Sequence, residues 1–302
     1  MGLPTLRALA AHPDFDVALV VTRPDKPAGR GLKLHPTPIK ELAQELDLPL
    51  FQPEKVNREV ERLKELKPDV TVVVAYGQIL SRDVIAVPRL GTVNLHASLL
   101  PKYRGAAPVQ WALMRGETVT GVTTFLIDEG LDTGPILLQR EVPIAPEDTA
   151  GTLEKKLAEV GADLMVETLV GLRDGTVRPR PQDDAQATYA PKITKEMARI
   201  DWTKSAQELH NLVRAMEPTP GAFTFYKGRR LKVHRTRVVP EPPSSGSKGE
   251  PGTVVGVGDE GLRVATGGGV LELLEVHPEG KRRMSGRDFA NGYRVREGER
   301  LG

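Results

Sequence analysis

Asp69-Val-Thr-Val-Val-Val-Ala75 is the stretch on which the fold turns. It is β-branched almost throughout, carries no charge after Asp69 and is too short for a helix. That pattern predicts a strand buried on both faces, as in parallel sheets covered by helices. The flanking sequence agrees. Upstream, Val17–Thr22 (VALVVT) is a second continuous apolar run, and Pro38–Leu46 and Val56–Leu66 have the spacing of amphipathic helices. Downstream, Thr92–His96, Gly121–Ile127 and Ile136–Val142 read as strands. Pro108–Arg115 reads as a helix with proline in its first turn, and Thr149–Leu172 as a long helix stopped by Gly175. Strands alternating with helices predict a doubly wound, mostly parallel α/β domain over residues 1–180. The chain opens on a predicted helix, Pro4–His12, where such a domain ordinarily opens on a strand.

Residues 181–204 are polar and proline-rich and are expected to form a linker. From 205 to 302 the texture changes. A helix over Ser205–Met216 is followed by short β-like runs at Ala222–Tyr226, Leu231–Thr236, Gly252–Val257, Leu262–Thr266 and Val270–Val276. Glycine and proline separate them, which predicts a small closed β-barrel with a loop at Pro240–Gly252. Gly256–Gly261 spells GxGxxG, but a strand follows it rather than a helix, so a hairpin turn is expected and not a dinucleotide site.

Composition narrows the chemistry. With no cysteine in 302 residues, disulfides, thiol nucleophiles and cysteine-based metal sites are excluded, which fits a cytoplasmic protein. No run approaches the roughly 20 apolar residues of a spanning helix, and the N-terminal sequence lacks the pattern of a secretory signal. His12, His35, His96, His210, His234 and His277 are scattered, so no metal site is expected. Residues 201–302 hold 17 Lys+Arg against 13 Asp+Glu, while residues 1–200 hold 25 against 27. Within the basic half, Lys227–Arg237 carries six bases and no acid. Such a concentration suits either a polyanionic partner or a solvated strand face.

Gly91-Thr-Val-Asn94-Leu-His96-Ala-Ser98-Leu-Leu-Pro101 carries the candidate chemistry. Residues i and i+2 of a strand share a face, so Asn94 and His96 point one way and Val93 and Leu95 the other. The strand stops at the Ser98–Pro101 turn, which places the pair near its C-terminal end, where open α/β sheets bind ligands. Asp128-Glu-Gly130-Leu-Asp132-Thr-Gly134 closes the next predicted strand. A carboxylate there would orient and charge His96, and an amide with a cationic imidazole could hold a developing oxyanion. Glycines beside Asp132 would let a ligand approach the backbone. Spacing alone leaves alternatives open: His96 as a satisfied interior histidine, Asp132 as a turn residue, Asn94 as a cap.

The segments Asn94-Leu-His96-Ala-Ser98-Leu-Leu-Pro101-Lys-Tyr-Arg104-Gly-Ala-Ala-Pro108-Val-Gln110 and Asp128–Gly134 resemble the core of the folate-dependent formyltransferase family. The resemblance runs over almost the whole chain. Three features are similar to family members that act on initiator methionyl-tRNA. They are Thr22–Lys33, which looks like a tRNA-contacting loop, Ala75-Tyr76-Gly77-Gln-Ile-Leu, and a basic C-terminal OB-like domain preceded by Arg199-Ile-Asp201-Trp202.

What the resemblance implies is a one-carbon transfer, with 10-formyltetrahydrofolate as donor and the α-amino group of the methionine on initiator tRNA as acceptor. Asn94 and protonated His96 would hold the oxyanion, and Asp132 would keep His96 charged and relay the proton. Ser98, Leu99, Leu100 and Pro101 would contact the folate. Lys26, Arg30 and Lys33, in a loop whose glycines and prolines oppose regular structure, would meet the tRNA with Lys227, Arg229 and Arg230. No metal is needed, and a monomer is expected. Against the family pattern, an opening strand and a Phe-Gly-Thr-Pro-like turn find no match here. The chain as written is expected to be less stable than one carrying that strand.

Overall fold

The structure, a computed structural model, describes residues 1–28, 33–240 and 249–302. These fall into two units: Met1–Pro108, Val119–Pro143 and Glu154–Ala190 form the first, and Val109–Thr118, Ile144–Leu153 and Pro191–Gly302 the second. No described helix is long and apolar enough to cross a membrane.

The first unit's strands are β1 (Val20–Val21), β2 (Lys26–Ala28), β3 (Lys33–His35), β4 (Leu50–Phe51), β5 (Thr71–Val73), β6 (Thr92–His96), β7 (Val119–Leu126) and β8 (Ile136–Pro143). Its helices are α1 (Gly2–Ala11), α2 (Pro38–Glu45), α3 (Val60–Glu65) and α4 (Arg82–Ile85). The chain continues through α5 (Pro108–Met114) and α6 (Ala150–Arg173). Helix α2 begins where the sequence dictates: Thr37 accepts a hydrogen bond from the amide of Lys40, and Pro38 occupies the first turn.

The sheet differs from the mostly parallel one expected. The order is β5-β6-β7-β8, with only β5 and β6 parallel, and β1 and β4 form a separate parallel pair. β7 runs antiparallel to both β6 and β8. The connections explain it. A parallel return needs a crossover of about a dozen residues, usually a helix on the sheet. Residues 127–135, between β7 and β8, contain no helix, and α5, between β6 and β7, belongs to the second unit. The valines of β5 are half-buried rather than sealed, because among the described residues β5 stands at the end of its sheet with β6 as its one partner.

What matters for the site is how firmly β6 is held. Its inner residues Val93 and Leu95 are buried, and α6 supplies Leu157, Leu164, Met165 and Leu169 to the same unit's core. Burying each such side chain contributes about 1.5–3 kcal/mol. Gly161 permits close approach: a Cβ there would lie 2.7 Å from Leu95 Cδ2. Thr124 of β7 and Thr168 of α6 join hydroxyls at 2.7 Å, satisfying two polar groups that are fully buried.

The second unit holds α7 (Ala206–Met216), β9 (Ala222–Tyr226), β10 (Arg229–Val239), β11 (Val254–Val257), β12 (Leu262–Ala265), β13 (Val270–Pro278), β14 (Met284–Ser285) and α8 (Gly286–Tyr293). Its antiparallel sheet runs β11-β12-β13-β10-β9, with β14 on β13. The two end strands are both tied to the last residues of the chain. Leu301 bridges Tyr226 of β9, and Arg300 bridges Thr253 beside β11. Trp202, Leu209, Met216, Leu231, Leu271 and Phe289 lie in its core. Gly256–Gly261 is the expected hairpin turn, and a Cβ at Gly258 would sit 2.1 Å from Glu272 Oε1.

The expected linker is divided rather than free. Residues 181–190 belong to the first unit, where Arg104 N–H donates to the Thr188 carbonyl and Ala190 N–H to the Arg104 carbonyl. Residues 191–204 belong to the second, where Ile200 N–H donates to the Phe223 carbonyl and Trp202 is buried. Residues 241–248 of the expected Pro240–Gly252 loop lie outside the described residues.

Candidate active site

β6 ends at His96, and its register sets what surrounds the site. Asn94 pairs with Phe125 and His96 with Thr123, so these four side chains share one face. Phe125 and Thr123 are buried, and the Phe125 ring stands edge-on to His96 at 6.5 Å. Asn94 is half-buried, and its amide has no hydrogen-bond partner among the described residues. It is therefore a donor left available on a wall that is otherwise satisfied.

His96 is fixed from both sides. Its Nε2 lies 2.9 Å from the Tyr103 carbonyl oxygen, which can only accept, so Nε2 carries a hydrogen. Its Nδ1 lies 3.7 Å from Asp132 Oδ2. That Oδ2 also accepts from the Gly105 amide at 2.8 Å. At that distance no hydrogen bond joins them, so Nδ1 is the ring nitrogen left open, with the Asp132 carboxylate beside it. The side chains of His96 and Asp132 are only 7% and 15% exposed, so their attraction is poorly screened.

The Asp132 loop is built by local chemistry. Asp128 Oδ1 accepts from the Gly130 amide and the Thr133 hydroxyl, closing an Asx-type turn. Asp132 has φ +54°, a left-handed conformation that Asp tolerates better than most residues. Gly134 is required by the fold: a Cβ there would fall 1.7 Å from the Leu126 carbonyl oxygen.

The Ser98–Pro101 turn mostly faces inward. Ser98 donates its hydroxyl to the Lys102 carbonyl at 2.6 Å and is fully buried, and Leu100 is 3% exposed. Thr123 organises the turn, donating to the Ser98 carbonyl and accepting from the Leu100 amide. Leu99 packs where Gly121 leaves room, since a Cβ at Gly121 would lie 2.5 Å from it. Leu99 and Pro101 are half-buried.

Lys26 lies on β2, which pairs antiparallel with β3, so the described part of this segment is more regular than its prolines suggest. Pro27 opposes Leu34 in that ladder, a tolerable place for proline in so short a ribbon. Arg30 and the Lys33 side chain lie outside the described residues. Lys227 is occupied by Glu299 at 3.0 Å, whereas Arg230 stacks on Phe223 at 3.9 Å. Arg229 is exposed.

The second unit also carries two adjoining cavities of about 470 and 260 Å³. They share His210, Arg214, Arg235 and Glu147, and none of their lining residues belongs to the Asn94, His96 and Asp132 set. Residues that sequence reading missed are Tyr103, Gly105 and Gln182, the first two of which act through backbone groups and so leave no side-chain signal.

The chain belongs to the formyl transferase family: residues 6–169 match the family described as Formyl transferase, and residues 192–294 match its C-terminal domain. Among named relatives, a methionyl-tRNA formyltransferase of Acidobacterium capsulatum is 50% identical over 307 residues, covering 100% of this chain and 96% of the relative. One of Thermodesulfovibrio yellowstonii is 46% identical over 299 residues, covering 98% and 94%. Solved structures share the fold. An N-formyltransferase of Helicobacter canadensis, in complex with folinic acid and dTDP-3-aminofucose, has TM-score 0.67 at 19% identity and covers 90% of this chain and 94% of that one. HypX of Aquifex aeolicus, in complex with tetrahydrofolic acid, has TM-score 0.61 at 21% identity and covers 86% and 45%.

Proposed function

We propose that this chain transfers a formyl group from 10-formyltetrahydrofolate to the α-amino group of methionyl initiator tRNA. The observation that carries the mechanism is the convergence of a free amide, an imidazole and a carboxylate at the end of β6. The donor set fits the co-substrate, because a formyl oxygen needs hydrogen-bond donors and Asn94 Nδ2 is one without a partner. The bound folate supplies an activated formyl carbon.

Asn94 and the Nδ1–H of His96 hold the formyl oxygen as negative charge builds on it. Asp132 accepts the proton released by the attacking amine, directly or through one water. The proton then passes to N10 of the folate as its bond to the formyl carbon breaks, so atoms and charge balance. His96 keeps its orientation throughout because the Tyr103 carbonyl holds its far nitrogen. Two preorganised donors in a poorly hydrated site are each worth about 10²–10³ in rate.

The first unit is read as a Rossmann-like domain, supported by the parallel pairs β1–β4 and β5–β6. The second is read as a small OB-like barrel, supported by the closure of its end strands through residues 300–301. For the tRNA, the support is a basic surface on that unit. Among the described residues, Arg199, Arg229, Arg230, Lys232 and Arg235 have no acidic partner, whereas Lys227, Arg237 and Arg283 do. Arg199 and Arg230 stack on Phe225 and Phe223, which presents flat cations as well as charge.

The test is formyl transfer by the purified chain, with 10-formyltetrahydrofolate as donor. Charged initiator tRNA is compared with a nucleotide-linked amino sugar, the acceptor class suggested by the Helicobacter canadensis structure. Formylated methionyl-tRNA is the expected product. Turnover of the sugar alone would refute the reading.

A further inference from the structure

We propose that Gln182 is a positioning residue for the transfer, holding the two loops that carry the partners of His96 in register. This rests on the site reading above. Gln182 lies in the proline-rich stretch Arg178-Pro-Arg-Pro-Gln182, whose sequence advertises no role. In the structure every hydrogen-bonding capacity of its amide is used. Nε2 donates to the Asp132 carbonyl at 2.8 Å and to the Gly134 carbonyl at 2.7 Å. Oε1 accepts from Arg104 Nε at 3.0 Å and from its terminal nitrogen at 2.8 Å. The carbonyls only accept and the guanidinium only donates, so the amide has one possible orientation.

The partners are the point. Arg104 stands between Tyr103, whose carbonyl holds His96 Nε2, and Gly105, whose amide holds Asp132 Oδ2. Arg104 is 2% exposed and is braced by Asp184 at 2.7 Å, so it is a rigid anchor. Gln182 joins that anchor to the backbone of Asp132 itself. The Asp132 carboxylate sits 3.7 Å from His96 Nδ1 and is held by the Gly105 amide, while Gln182 holds the backbone of the same residue to Arg104. Without Gln182 the carboxylate loses its fixed distance to the imidazole, while the residues that touch substrate all remain.

The experiment uses the full chain and the formyl-transfer assay, with Gln182→Glu, Gln182→Met and His96→Ala. Gln182→Glu keeps the size and the bond to Arg104 but replaces the donor facing the two carbonyls with an acceptor. Gln182→Met keeps the reach and removes all polar atoms, so one variant remains informative if the other fails to fold. We expect kcat to fall about 10- to 100-fold in each folded variant, with KM for both substrates within about threefold, as small misplacements do. Amide exchange at Gly105 should speed up in parallel. Unchanged kcat, a loss confined to KM, or lost kcat with Gly105 exchange unaltered would each overturn the proposal. If His96→Ala turns over normally, the site reading is at fault. If His96→Ala is slow and Gln182→Glu is normal, only this inference falls.

Discussion

Replacing Asp132 with Asn removes one negative charge and little else. The Asn oxygen can still accept from the Gly105 amide, and Asn tolerates the φ of +54° that this position requires. The loss in stability is the difference between a charged and a neutral hydrogen bond, about 1 kcal/mol. Asp132→Ala is different. It forfeits the whole bond, about 1.5–3 kcal/mol, and puts a Cβ-bearing residue without local hydrogen bonding into the left-handed region, about 1 kcal/mol more. For a unit of this size each kcal/mol lowers Tm by about 2–4 °C. Asp132→Asn should therefore melt roughly 2–4 °C below the parent chain and Asp132→Ala roughly 5–15 °C below it. Activity should not follow stability. Both variants lose the group that takes the amine's proton, so kcat should fall by about 10²–10⁴ in both. Thermal unfolding and steady-state formyl transfer, run on the same preparations, decide it. An Asp132→Asn protein that keeps a tenth of the parent kcat would refute the assigned role, and equal melting of the two variants would refute the backbone argument.

Other perturbations read other parts of the account. Gly161→Ala gains about 1 kcal/mol of helix propensity but forces a Cβ to 2.7 Å from Leu95 Cδ2, costing about 1–3 kcal/mol, so denaturant titration should show net destabilisation; a more stable protein contradicts the packing. Arg230→Ala should raise KM for tRNA while leaving kcat in place, and should reduce the salt dependence of tRNA binding by about one ion in the log–log slope; unchanged slope removes this face from the tRNA surface. Burial, reinforced by Arg214, holds the His210 imidazole below its ordinary pKa of 6.5. The folded state therefore favours the neutral ring, and that stability is present above pH 6.5 and lost as pH falls through the lowered folded value. His210→Gln should flatten the acid side of the stability curve, and parallel curves for the two proteins would contradict this.

How much was legible in the sequence varies by element. The strand at Thr92–His96 and the run Ala222–Tyr226 lie where the pattern puts them, because alternation and apolar content are local signals. The direction of β7 was not legible. Orientation depends on the path of the connection, and residues 97–118 give no local sign that their helix belongs to the other unit. Helix α8 escaped because Gly286 and Gly292 weaken it on propensity. Tertiary packing overrides that: Phe289 is 1% exposed, and Gly286 is required where a Cβ would meet the Leu273 carbonyl at 1.8 Å. At the site, Asn94, His96 and Asp132 could be named because their side chains act. The Tyr103 carbonyl, the Gly105 amide and the bracing by Gln182 could not, since any residue has a backbone and a lone glutamine in a polar stretch is unremarked.

The most direct test of the oxyanion account is the single-turnover rate of formyl transfer by His96→Ala, at saturating 10-formyltetrahydrofolate and charged initiator tRNA. The account predicts a rate at least about 100-fold below the parent chain with tRNA still bound. A rate equal to the parent's would mean that the imidazole at the end of β6 does not carry the charge in the reaction.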